Sequence, residues 1–121
     1  MGVTQQTGQA AEDLAWRYLQ GQGLKSITRN YRCRMGEIDL IMQDQNMLVF
    51  VEVRFRRNNS FGGGAASVTF AKQTKLIRTA YYYLQQQKIS EKVACRFDVV
   101  AIGLQGTKTQ LEWIKNAFTT V

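Results

Sequence analysis

Two neighbouring stretches of the chain alternate side chains with the period of a β-strand. In residues 37–43, Ile38, Leu40 and Met42 fall on one face and Glu37, Asp39 and Ile41 on the other. In residues 47–56, Val49, Val51, Val53 and Phe55 alternate with Leu48, Phe50, Glu52, Arg54 and Arg56. Both faces of this hairpin carry large apolar residues, so both faces must be covered. The covers are readable. Ala11, Leu14, Ala15, Tyr18 and Leu19 recur at helical spacing between about residues 5 and 22, and Gly21 and Gly23 end that helix. Leu76, Ile77, Ala80, Tyr83 and Leu84 do the same between about residues 69 and 87. Residues 25–32, 96–104 and 111–114 read as further strands, and NNSFGGGAA as a loop before the second helix. The order helix, three strands, helix, strands predicts one three-layer α/β domain over residues 1–121, with a mixed central sheet and an αβββαβ core.

Carboxylates inside this hairpin interrupt an otherwise apolar pattern. A loop of two residues, Gln45 and Asn46, or of four, places Asp39 opposite Glu52 on one face. A three-residue loop sends them to opposite faces. The even loop gathers the charged residues together, with Cβ atoms of the opposed pair about 5 Å apart. Two acids that close and partly buried repel unless a proton, an arginine or a cation neutralises them. Carboxylate oxygens suit a hard divalent cation such as Mg²⁺. The plainer alternative is a salt network with Arg54 and neighbouring basic residues.

Composition narrows the chemistry. The chain has no histidine, which removes every mechanism with a histidine base, ligand or nucleophile. Nine carboxylates face 16 lysines and arginines, for a net charge of +7. Such a surplus on a small domain fits a polyanion partner, most simply nucleic acid. Arg32, Arg34, Arg56 and Arg57, interleaved with Tyr31 and Phe55, resemble a nucleic-acid surface. Lys72 and Gln73, at the start of the second helix, are candidates to reach the acids or a phosphate. Cys33 and Cys95 form no CxxC pair and read as reduced thiols of a cytoplasmic protein. No apolar run is long enough to span a membrane, and no signal peptide is expected.

The acids lie within a wider pattern. Asp39, then Glu52-x-Arg54 across a hairpin, behind a helix carrying Glu12, resembles the PD-(D/E)XK nuclease superfamily, which includes restriction endonucleases and archaeal Holliday-junction resolvases. More closely, GEIDLI, VFVEVR, the helix with Lys72 and RFDVV are similar to the YraN family, small bacterial proteins of restriction-endonuclease-like fold. The resemblance implies that Asp39, Glu52 and the Val53 carbonyl hold Mg²⁺ or Mn²⁺, with Glu12 assisting directly or through water. The superfamily's lysine is Arg54 here. Arginine stays protonated and cannot act as a base, but it can stabilise charge on a phosphate. The expected activity is metal-dependent hydrolysis of phosphodiester bonds in DNA, branched DNA included. Two alternatives stay open: a nucleic-acid-binding module that does not cut, and a scaffold that docks an acidic protein. Resolvase-like folds often act as dimers, which leaves a homodimer open.

Overall fold

The computed structural model describes residues 2–56, 68–89 and 92–119. Helix α1 (Gly2–Gly21) is followed by β1 (Lys25–Cys33), β2 (Gly36–Asp44) and β3 (Met47–Arg56). Helix α2 (Phe70–Gln86), β4 (Cys95–Gln105) and β5 (Lys108–Phe118) complete the chain. The strands form one sheet in the order β1-β2-β3-β4-β5. Strands β3 and β4 run parallel, and every other neighbouring pair is antiparallel. This is the mixed sheet and three-layer αβββαβ architecture expected for a restriction-endonuclease-like domain, with β5 added at one edge. Among the described residues no helix is long and apolar enough to cross a membrane.

Local chemistry fixes the ends of the helices. Leu24 N–H reaches Leu19 C=O at 3.1 Å and Gly23 N–H reaches Gln20 C=O at 3.0 Å, with Gly23 at φ 103°. That is a Schellman motif, and a glycine suits its left-handed position. Leu24 follows, buried under α1. Helix α2 starts at Thr69, whose hydroxyl accepts the Lys72 N–H at 3.2 Å.

The core has two halves, one on each face of the sheet. Ala11, Ala15 and Leu19 of α1 pack on Leu40, Met42, Val49, Val51, Val100 and Ile102. Leu76, Ala80, Tyr83 and Leu84 of α2 pack on Ile38, Ile41, Leu48, Phe50, Phe97 and Val99. One facing differs from the sequence reading: Ile38 lies on the α2 side, not with Leu40 and Met42. The alternation breaks at Asp39. On the neighbouring strand Asn30 adopts φ 53°, and the paired positions pass from Arg29–Leu40 to Tyr31–Ile38 without it. A strand that twists here turns the next side chain to the other face. Tyr31 turns with Ile38 and packs edge-on against Tyr83, ring centroids 5.0 Å apart.

Two further boundaries move outward, α1 beginning at Gly2 and β5 running from Lys108 to Phe118. Strand β5 is not regular. Phe97 pairs with Phe118 but Val99 with Ile114, so Lys115, Asn116 and Ala117 stand opposite Asp98 alone. Asn116 takes φ 52° in this bulge and gives its backbone N–H to Asp98 at 2.9 Å. Asp98 also accepts Arg96 Nε and Trp113 Nε1, each at 2.9 Å, and is 1% exposed. Buried and fully engaged, it holds the bulge in shape.

Candidate functional site

Strands β2 and β3 are joined by the two-residue turn Gln45–Asn46, with Asp44 paired to Met47. The ladder runs up to the pair Leu40–Val51 and ends there. Its continuation would pair Asp39 with Glu52. Instead, the Asp39 carboxylate enters the ladder and Oδ2 accepts the Val53 N–H at 2.8 Å. The N–H and C=O of a strand residue point to the same side, so the Val53 carbonyl faces this gap as well.

Burial, and then the Glu52 charge, push the Asp39 carboxyl up to about 7, with Glu12 adding to the rise. The Val53 N–H and the Lys72 ammonium pull the other way. Glu52 is 5% exposed. Its Oε2 meets Arg54 Nη1 at 3.3 Å and Lys72 Nζ at 3.5 Å. The two neighbouring acids therefore differ: Glu52 has two cations beside it, and Asp39 has an amide hydrogen and a field in which Glu52 and Glu12 outweigh Lys72.

Lys72 reaches the site from the first turn of α2. It is in phase with Leu76, Thr79 and Tyr83 on the buried side of that helix. That spacing marks it in the sequence as facing the sheet. Gln73 does something else: its amide donates to Val68 C=O at 3.0 Å and secures the entry to α2. Glu12 lies 3.6 Å from Arg29 Nη2, which also binds Asp13 and stacks over the Trp16 ring at 4.6 Å. Glu12 Oε1 is buried without a hydrogen-bond partner. Arg32 is exposed and pairs with Glu37 at 3.6 Å, and Arg34 is exposed in the β1–β2 turn. Arg56 closes β3, and Arg57 and Gly62–Gly64 lie outside the described residues.

The donor set at the gap is entirely oxygen: two carboxylates and a backbone carbonyl. That suits a hard cation such as Mg²⁺ or Mn²⁺, and the raised Asp39 carboxyl marks a place where positive charge would be welcome. Among the described residues no three His, Cys, Asp or Glu side chains converge as a metal cluster. The fit is therefore that of a two-carboxylate site, with Glu12 held back by Arg29. Sequence reasoning overlooked Glu112. It rises from β5 on the same sheet face as Glu52 and has a buried Oε1 without a hydrogen-bond partner. Within its own strand it reads as an ordinary edge acid, and only the sheet order puts it near the site.

Comparison with known proteins places these features. The model of the uncharacterised protein family UPF0102 matches residues 11–102. A UPF0102 protein of Coxiella burnetii is 53% identical over 115 residues, covering 95% of this chain and 93% of that protein. One from Saccharophagus degradans is 52% identical over 119 residues, covering 98% of each. One from Legionella pneumophila is 47% identical over 116 residues, covering 96% and 97%. Among solved structures, Pyrococcus furiosus SfsA in complex with Ca²⁺ aligns with a TM-score of 0.38 and 11% identity, over 93% of this chain and 63% of that one, a likeness too slight to inform the site. The family match runs from α1 into β4 and takes in the carboxylate pair and Lys72, and the relatives match nearly end to end: the chain belongs to the UPF0102 family, the YraN-like group that its GEIDLI and VFVEVR motifs resemble.

Proposed function

We propose that this protein is a metal-dependent nuclease of the PD-(D/E)XK type that hydrolyses phosphodiester bonds in DNA, branched DNA included. The observation that carries the reading is the break in the β2–β3 ladder. There the Asp39 carboxylate displaces a ladder partner to take the Val53 N–H, beside a buried Glu52 flanked by Arg54 and Lys72. A strand does not place two acids at such a break for packing alone, because each buried charge costs stability.

Asp39, Glu52 and the Val53 carbonyl would hold the cation. When bound, Mg²⁺ or Mn²⁺ supplies a Lewis acid that stabilises charge on a phosphate and eases the ionisation of water. Arg54 is permanently charged and sits where it can meet a non-bridging phosphate oxygen. Lys72 brings a second cation to Glu52 from the first turn of α2, a compact ammonium that can meet a phosphate from the helix side. Arg32 and Arg34, on the β1–β2 end, extend a basic surface along which the backbone of the nucleic acid can run. Glu12, paired to Arg29, shapes the field at Asp39 from the other side of the sheet.

A second reading has its own observation. Glu52 already has Arg54 and Lys72 within ion-pair distance, so part of the acid charge is balanced without metal. That favours a nucleic-acid-binding module on a nuclease fold that does not cut. One experiment separates them: incubation of labelled duplex, single-stranded and branched DNA with the protein, with and without Mg²⁺ or Mn²⁺. Cleavage that depends on the cation and disappears in Asp39→Asn supports the nuclease. Binding without cleavage under every condition supports the module.

A further inference from the structure

Glu112 lies within β5 with its Oε1 buried and unbonded. A buried carboxylate oxygen without a donor is costly and asks for a partner. Its chain neighbours Leu111 and Trp113 pack with the α1 half of the core, so Glu112 points to the opposite face, that of Glu52 and Arg54. The register completes the placement. Arg54 pairs with Ala101, and Ala101 pairs with Glu112. Arg54 and Glu112 thus rise on either side of a single methyl group. Their backbones are two strand spacings apart, roughly 10 Å, a gap that an arginine and a glutamate close by leaning together. Ala101 itself is 2% exposed and has no side chain tall enough to block the crossing.

Arg54 now leans the other way, toward Glu52 at 3.3 Å, a loose contact for an ion pair that also includes Lys72. A cation at Asp39 and Glu52 would take over the charge that Arg54 now balances. We propose that Arg54 has two carboxylate seats on this sheet face: Glu52 when the metal site is empty and Glu112 when Asp39 and Glu52 hold a divalent cation. This rests on the metal-site reading above. Glu112 is then a positioning residue. It removes a competing guanidinium from Glu52 and parks it over Ala101, where it stays charged and available to a phosphate.

Cation binding in the absence of nucleic acid tests the proposal. Mg²⁺ and Mn²⁺ affinities are measured by calorimetry for the wild type, Glu112→Gln, Arg54→Gln and the double variant, each checked for a native circular dichroism spectrum. Arg54→Gln should bind the cations more tightly, since the competitor is gone. Glu112→Gln should bind them about tenfold more weakly while Arg54 is present, but change affinity less than about twofold in the Arg54→Gln background. Equal weakening in both backgrounds would make Glu112 a distant charge and overturn the proposal, as would no change in either. Glu112→Asp keeps the charge on a shorter arm and should fall between wild type and Glu112→Gln; an affinity below that of Glu112→Gln also overturns it. A wild type that binds neither cation overturns the metal-site reading, and this proposal with it.

Discussion

In the proposed site most of the chemistry would turn on Asp39, and its charge state is open to measurement. Its carboxyl is raised to about 7 from an ordinary value of 3.8, by burial and by Glu52. A carboxyl whose folded pKa exceeds its unfolded one favours folding while protonated and loses that contribution as pH rises through the folded pKa. Thermal unfolding in chelator should therefore show this group's contribution, by a few kcal/mol at most, being lost as pH rises from about 4 to about 7 and levelling off above that. Asp39→Asn should flatten that profile, and added Mg²⁺ should restore the wild type at the alkaline end. The same variant should abolish cleavage while DNA affinity holds or improves, its log affinity against log salt changing slope by less than about one unit. A variant that cuts as fast as wild type would remove Asp39 from the metal site. The two basic residues beside Glu52 divide along their chemistry. Arg54→Lys should keep or raise cleavage, and Arg54→Ala should lower it by about 10²–10³-fold. Lys72→Ala should lower it by a similar factor and Lys72→Arg should restore much of it, because its part is that of a cation beside Glu52. No rescue by arginine in a gel-based cleavage assay would show that charge alone does not account for Lys72.

At the scale of elements, α2 meets the β1–β2 turn closely at Gly36. Gly36 has φ 146°, and a Cβ there would come within 2.9 Å of the buried Thr79 hydroxyl. That hydroxyl is itself bonded to Lys75 C=O at 2.7 Å. Gly36→Ala should cost about 1–3 kcal/mol, from overpacking and backbone strain together. Adding Thr79→Ala should recover part of the loss, which urea denaturation of the single and double variants would reveal. Strands and helices of this kind were largely legible in the sequence. Strand period, helix period and turn length are local, and the even turn at Gln45–Asn46 was enough to bring Asp39 and Glu52 to the same end of the ladder. What stayed hidden depends on partners far along the chain. Ile38 turns to α2 because Asn30, on another strand, takes a left-handed conformation. Asp98 binds Arg96, two residues away on the same strand, but its bonds to Trp113 and Asn116 form only once β5 lies beside β4. Lys72 was legible as a helix-start residue, while its approach to Glu52 depends on where that helix docks.

For the molecule as a whole, charge and sheet edges decide how it meets others. With 16 basic residues against nine acids the chain carries a net charge of +7, a surplus that suits a polyanion partner. Glu112 could be assigned to no role from its own surroundings in sequence, since only the complete strand order sets it across from Arg54. The same order leaves β1 and β5 at the two ends of the sheet, and both are irregular: β1 at the register shift between Ser26 and Thr28 and at Asn30, β5 at the bulge opposite Asp98. A long, straight outer strand is a template onto which a neighbouring copy can add its own backbone. The Asp98 carboxylate, by drawing the Asn116 amide inward, takes that amide out of the row that a neighbour would read. A regular edge on which a second copy could pair is thus interrupted at the bulge. Asp98→Ala should release the bulge, and static light scattering should then climb with protein concentration and time far more steeply than for wild type, with the growing material binding thioflavin as extended β-structure does.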